Sequence, residues 1–230
     1  MIRLDNLEKK YGDKTALKVD TIEIPVGQNV GLVGNNGAGK TTMLSLILDL
    51  IQPNSGTAYL NKLNVAQDES WKKITGSYLD ENFLIEFLKT EEYFEFISKL
   101  HQWNEDDLNE LFVKFEPLFN GEVLNQKKFI RDFSKGNKKK IGISSAFIGN
   151  PEIIILDEPF ANLDPTSQIK LKELLRELSG SVTMLISSHD LSHVTDVSER
   201  IIVLEDGFVI KDIIKTPETL KELEEYFSHQ

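Results

Sequence analysis

A glycine-rich octapeptide, Gly34-Asn35-Asn36-Gly37-Ala38-Gly39-Lys40-Thr41, separates two apolar stretches of different character. Ahead of it, Val30-Gly31-Leu32-Val33 has the length of a buried strand. Behind it, entered through Thr42, Met43-Leu44-Ser45-Leu46-Ile47-Leu48 opens an apolar-periodic helix. The glycines allow consecutive backbone N–H groups to turn inward around an anion, where side chains with a Cβ would obstruct. The N-terminus of the following helix adds its dipole and free N–H groups to the same anion. In this setting Lys40 would reach the β- and γ-phosphates and the Thr41 hydroxyl would ligate Mg²⁺. The segment satisfies G-x-x-x-x-G-K-[ST] at every fixed position, and its strand–loop–helix context implies a nucleoside triphosphate site.

The remaining composition narrows the class. The 230 residues suffice for one large α/β domain, or for a core with an inserted subdomain. No apolar run approaches the ~18 residues of a bilayer span, and Asp49 interrupts the apolar helix after the loop. The first residues, Met1-Ile2-Arg3-Leu4-Asp5, contain no secretory h-region, and cysteine is absent, so a cytoplasmic protein is expected. A formal net charge of −11 argues against nucleic acid as a partner, since phosphate backbones need a basic surface. The dense basic run Lys138-Lys139-Lys140 reads as a solvated helix face.

Along the chain, residues 2–33 read as short strands, with a turn at Tyr11-Gly12-Asp13-Lys14 and an alternating strand at Thr21-Ile22-Glu23-Ile24. The helix after the glycine loop is expected to end near Gln52-Pro53-Asn54-Ser55-Gly56, and Thr57-Ala58-Tyr59-Leu60 to be a strand. From about Glu81 to Phe147 aromatic residues accumulate at helical spacing and read as core. Tyr93, Ile97 and Leu100 share one face, as do Leu108, Leu111, Phe112 and Phe115, which predicts an inserted helical subdomain. Ile153-Ile154-Ile155-Leu156 and Val182-Thr183-Met184-Leu185-Ile186 then read as parallel-sheet strands flanking a helix from Thr166 to Leu178. Ile201 to Ile210 reads as a hairpin on an Asp206-Gly207 turn, and the tail from Pro217 as a short charged helix.

Two further strand ends carry chemistry. Ile153 to Leu156 runs directly into Asp157 and Glu158, and strand carboxyl ends face the ligand crevice of a doubly wound sheet. There Asp157 would hold Mg²⁺ through its water shell, and Glu158 would take a proton from an attacking water. His189 ends the strand containing Ile186, on the same expected edge, where it could hydrogen-bond the γ-phosphate and the attacking water. His101, His193 and His229 read as structural or surface residues.

The ordered set of motifs resembles the nucleotide-binding subunit of ABC (ATP-binding cassette) proteins over essentially the whole chain. Phe133-Ser134-Lys135-Gly136-Asn137 stands where that family has its LSGGQ signature, and Ala161-Asn162-Leu163-Asp164 where it has its D-loop. Tyr11 occupies the position of the ring that stacks on adenine, and Glu81 that of the Q-loop glutamine. Three residues depart from the pattern: Lys135 and Asn137 in the signature, and Glu81. Lys135 either adds positive charge at the phosphate or faces solvent; Glu81 can still meet Mg²⁺ or water but cannot donate.

The resemblance implies an α/β fold with a P-loop NTPase, RecA-like core (about 1–80 and 148–215), an N-terminal antiparallel β element, a helical subdomain (about 81–147) and a short tail (216–230). It implies ATP and Mg²⁺ as ligands, and ATP hydrolysis that powers a membrane transporter. Two cassettes, expected as a homodimer, would pair head to tail. Ser134 and the Gly136 N–H of one would then grip the γ-phosphate on the loop of the other. The Ser-Lys-Gly form of the signature resembles bacterial exporter-type ATPases. The membrane-spanning part would be a separate chain that holds this one at the inner face of the cell membrane. A soluble ABC ATPase, for example of iron–sulfur assembly, is the alternative; a P-loop kinase would leave the signature, D-loop and His189 unexplained.

Overall fold

Isoleucine, valine and leucine concentrate in the strands of a single ten-stranded sheet, and helices cover what those strands leave apolar. The computed structural model describes residues 1–228. Its N-terminal part is antiparallel: β1 (Ile2–Tyr11) pairs with β2 (Lys14–Ile24) across the turn at Gly12 and Asp13. After β3 (Asn29–Val33), helix α1 (Lys40–Ile47) and strand β4 (Ser55–Leu60), the short β5 (Leu63–Asn64) closes that edge against β4. The central part is parallel: β6 (Thr75–Tyr78), β7 (Ile153–Leu156), β8 (Thr183–Ser188) and β3 lie side by side in one direction. Strand β9 (Arg200–Glu205) runs parallel to β3 and turns through Asp206-Gly207 into β10 (Phe208–Ile214). Both turn residues are left-handed, with φ of 47° and 86°, as a tight hairpin requires.

Between β6 and β7 lie α2 (Thr90–Leu100), α3 (Glu105–Phe119) and α4 (Lys135–Ser145). Phe94, Phe115 and Phe119 are fully buried there, in a cluster continuous with Ile154 and Leu156 of β7. Alternate residues of the same strand, Ile153 and Ile155, face a second cluster under α1 and the antiparallel part. A strand covered on both faces accounts for its unbroken apolar run. Helices α5 (Pro165–Glu177), α6 (Leu191–Val197) and α7 (Thr219–Ser228) complete the cover, α7 by burying Leu223 against Val33, Ile201 and Val203.

Several sequence expectations need correction. Helix α1 stops at Ile47, well before Pro53, because Asp49 adopts a left-handed φ of 52°. On α2 the buried stripe is Tyr93, Phe94 and Ser98 with Ile97 half-buried, so Leu100 is left 66% exposed. Among the aromatic residues assigned to the core, Phe83 and Phe87 are 62% and 68% exposed. Strand β6 was not anticipated; Thr-Gly-Ser-Tyr has no apolar run, and Gly76 serves as the point where Ala146 O crosses it. The lysine run is no solvated face either. Lys139 and Lys140 are 5% and 2% exposed, their ammonium groups paired with Glu158 O and the Glu122 carboxylate, while Lys138 pairs with Glu86. Long aliphatic stems let these cations reach partners through packed surroundings. His229 lies outside the described residues.

Candidate functional site: a nucleotide cleft at the strand ends

Three neighbouring parallel strands deliver the chemistry to one edge of the sheet. Strand β3 releases the glycine loop, β7 runs into Asp157 and Glu158, and β8 runs into His189. The loop takes its shape from glycines with φ of 87° at Gly37 and 107° at Gly39, where an L side chain would be strained. Gly39 also has no room for a Cβ, which would lie 2.8 Å from Ala16 O. Behind the loop, Gly34 packs against Leu204 O, and the Gly207 N–H donates to Ala38 O at 2.9 Å. The β9–β10 turn therefore braces the loop through Gly207.

The side chains converge. The Lys40 ammonium donates to Gly34 O at 2.6 Å and stands 3.5 Å from Glu158 Oε1. Thr41 Oγ1 donates to Asp157 Oδ2 at 2.6 Å. The other Asp157 oxygen accepts from Ser187 Oγ, and that hydroxyl in turn accepts the Glu158 N–H at 3.0 Å. His189 Nδ1 lies 2.9 Å from Glu158 Oε2. Glu158 is itself left-handed, with φ of 46°, a strained conformation for a residue with a Cβ. The Thr41 hydroxyl and the Asp157 carboxylate are adjacent hard oxygen donors, the set that suits Mg²⁺.

Lys40, Thr41, Asp157 and Glu158 line a cleft of about 420 Å³ together with Asn35, Asn36, Gly37, Gly39, Thr42 and Tyr11, whereas His189 is outside that lining and meets it through Glu158. Tyr11 is 57% exposed, its ring free to take a planar ligand on one face while Lys9 Nζ lies 5.1 Å from its centroid. Lys14, Thr15, Ala16 and Asp206 line the same cleft and escaped the sequence reading. The Asp206-Gly207 turn was legible as a turn, but nothing local indicates that it folds back on the glycine loop. Ser187 was equally silent, as one of two serines in an apolar strand.

Ser134, Gly136 and Glu81 do not line the cleft of their own chain. Ser134 caps α4, accepting the Asn137 N–H at 3.2 Å, so the helix begins at the signature with the Lys135 and Gly136 N–H groups outside that cap. Gly136 has a local reason to be glycine: a Cβ would lie 2.8 Å from Asn162 O. Asp164 caps α5, and hydrogen bonds from the Ser167 hydroxyl and N–H, with Lys140 near, hold its carboxyl below the usual range. Glu81 opens a one-turn 3₁₀ segment after β6, capped by Asp80, outside the cleft. His193 packs on Phe160, with ring centroids 4.9 Å apart, and His101 sits over Gly149.

Glycine loop, paired carboxylates and parallel sheet define a P-loop nucleotide-binding domain. The family model for ABC transporters matches residues 17–161, more than half of the chain. Bacitracin transport ATP-binding protein BcrA of Enterococcus faecalis is 30% identical over 93% of this chain and 69% of its own length. Lantibiotic transport ATP-binding protein SrtF of Streptococcus pyogenes is 30% identical over 100% of this chain and 97% of its own. Among solved structures, one described as the ATP binding subunit of an ABC transporter superposes with a TM-score of 0.84 at 26% identity, covering 100% of this chain and 98% of that one. A dimeric post-hydrolysis cassette bound to ADP and Pi gives a TM-score of 0.79 at 26% identity, over 93% of this chain and 98% of its own. This chain belongs to the ABC transporter family.

Proposed function

We propose that the chain binds and hydrolyses ATP as the cassette subunit of a membrane transporter, working as a head-to-tail dimer. The observation that carries this reading is the Glu158 carboxylate, held between the Lys40 ammonium and the His189 ring at the mouth of the glycine loop. In that position Glu158 accepts the proton of the attacking water, and His189 orients the carboxylate or the γ-phosphate. Lys40 is freed from Gly34 O and Glu158 to meet the β- and γ-phosphates. Thr41 and Asp157 would hold Mg²⁺, which supplies charge neutralisation on the transferred phosphoryl group when bound. Ser134 and the Gly136 N–H serve the nucleotide on the second cassette, a role their placement outside their own cleft supports.

Among the described residues no helix is long and apolar enough to cross a membrane. In this reading a membrane-spanning subunit holds the cassette at the inner membrane face by protein contact. The transporter names of the relatives favour this reading over a soluble iron–sulfur assembly ATPase. Nucleic acid is not a partner in this reading: the net charge is −11, and two lysines of the basic run are buried. Purification from detergent-solubilised membranes tests the assignment, with a stoichiometric multi-span protein as the expected companion. Recovery solely with soluble iron–sulfur assembly proteins would overturn it.

Adenine recognition gives a finer test. Stacking on an aromatic ring contributes about 1–3 kcal/mol. Tyr11→Ala is expected to weaken ATP binding roughly ten-fold by calorimetry, a loss of ~1.4 kcal/mol, while Tyr11→Phe keeps it. Equal affinities for both variants would remove Tyr11 from the site.

A further inference from the structure

Lys139 is a buried cation in the second turn of α4, with no assigned part in nucleotide binding. Its ammonium donates to Glu158 O at 2.6 Å, an oxygen that also accepts a longer bond from the Ala161 N–H at 3.3 Å. At the other end of the same residue, the Glu158 N–H is bound to Ser187 Oγ at 3.0 Å. Both backbone groups of Glu158 are thus pinned, one from α4 and one from β8. Between them sits the left-handed φ of 46° that aims the carboxylate into the cleft. A residue with a Cβ relaxes out of that conformation unless its surroundings over-determine it.

The position is also electrically exacting. Burial pulls the Lys139 pKa down, while the carboxylates of Glu81, Glu158, Asp157 and Asp80 push it back up. The Tyr78 ring lies 5.8 Å from its ammonium.

We propose that Lys139 is a positioning residue for ATP hydrolysis: its ammonium fixes the Glu158 carbonyl and so holds the backbone geometry that aims the Glu158 carboxylate. The proposal rests on Glu158 being the base. Because Lys139 rides on α4, a displacement of the signature helix moves the carbonyl anchor of Glu158. Alignment of the base then depends on where the helical segment sits.

The test compares the full chain with Lys139→Met, which keeps the aliphatic stem and deletes the donor, and with Lys139→Gln, which retains a shorter donor. Steady-state kcat and KM, ATP affinity by calorimetry and thermal unfolding are measured for each. Misplacing a reacting group by about an ångström costs up to ~100-fold in rate. Lys139→Met is expected to lower kcat about ten- to a hundred-fold with ATP affinity within about two-fold, and Lys139→Gln to restore part of the loss. Adding Lys139→Met to Glu158→Gln should lower the residual rate no further, since there is no base left to aim. Wild-type kcat in Lys139→Met, affinity falling in step with kcat, or an equal loss in the Glu158→Gln background would each overturn the proposal. Should the Met variant fail to fold, the Gln variant carries the same comparisons. Wild-type turnover by Glu158→Gln itself would instead refute Glu158 as the base, whatever Lys139 does.

Discussion

Glu158→Gln is expected to bind ATP almost as the parent does and to hydrolyse it about 10²–10⁴-fold more slowly, the usual contribution of a positioned general base. The change conserves size and leaves both backbone anchors of the residue in place, Ser187 to its N–H and Lys139 to its carbonyl. The amide can still sit between Lys40 and His189, so the cleft keeps its shape. Lost is the ability to take a proton from water. With bound ATP no longer consumed, the doubly gripped dimer should accumulate, visible as an earlier peak in size-exclusion chromatography with ATP and Mg²⁺. Parent-like turnover would place the base elsewhere.

Lys40→Ala should act one step earlier and empty the site. Lys40 is only 6% exposed, and its ammonium carries the positive charge of the glycine loop. A charge-assisted hydrogen bond to phosphate contributes about 1.5–3 kcal/mol, so ATP affinity should fall roughly ten- to a hundred-fold or more. Turnover should fall with it, and no ATP-dependent dimer should appear. The two variants thus differ in a way that calorimetry separates directly: Glu158→Gln retains ligand, and Lys40→Ala does not. Unchanged affinity in Lys40→Ala would contradict the assignment of the loop.

What could be read from the sequence is what is encoded in neighbouring residues. The glycine loop, the Asp157-Glu158 strand end and the Asp206-Gly207 hairpin each announce themselves within a dozen residues, because backbone geometry and strand ends are local properties. The central strands were legible for a related reason: burial on both faces leaves unbroken apolar runs. Strand β6 was not, because a polar edge strand is defined by its partner β7 rather than by its own residues. The lysine run misled for the same reason. Nothing in Lys138-Lys139-Lys140 says that Glu86, Glu158 O and Glu122 wait at the ends of those side chains, more than a dozen residues away. Phe83 and Phe87 erred in the opposite direction, apolar by type and yet outside the core. Helical spacing shows which residues share a face; it does not show whether another element covers that face.

The central claim is that each working site is built from two chains, with the glycine loop of one facing the signature of the other. Mixing two damaged proteins tests it most directly. Ser134→Arg should bind ATP normally, because its serine serves the nucleotide on the partner, yet it should fail to dimerise with ATP and lose most activity. Lys40→Ala should lack activity for want of bound nucleotide. In a mixed dimer one site carries both lesions and the other carries neither, so ATPase activity should return in part when the two are combined. Normal hydrolysis by Ser134→Arg alone, or no recovery from a mixture that demonstrably forms dimers, would contradict a composite site.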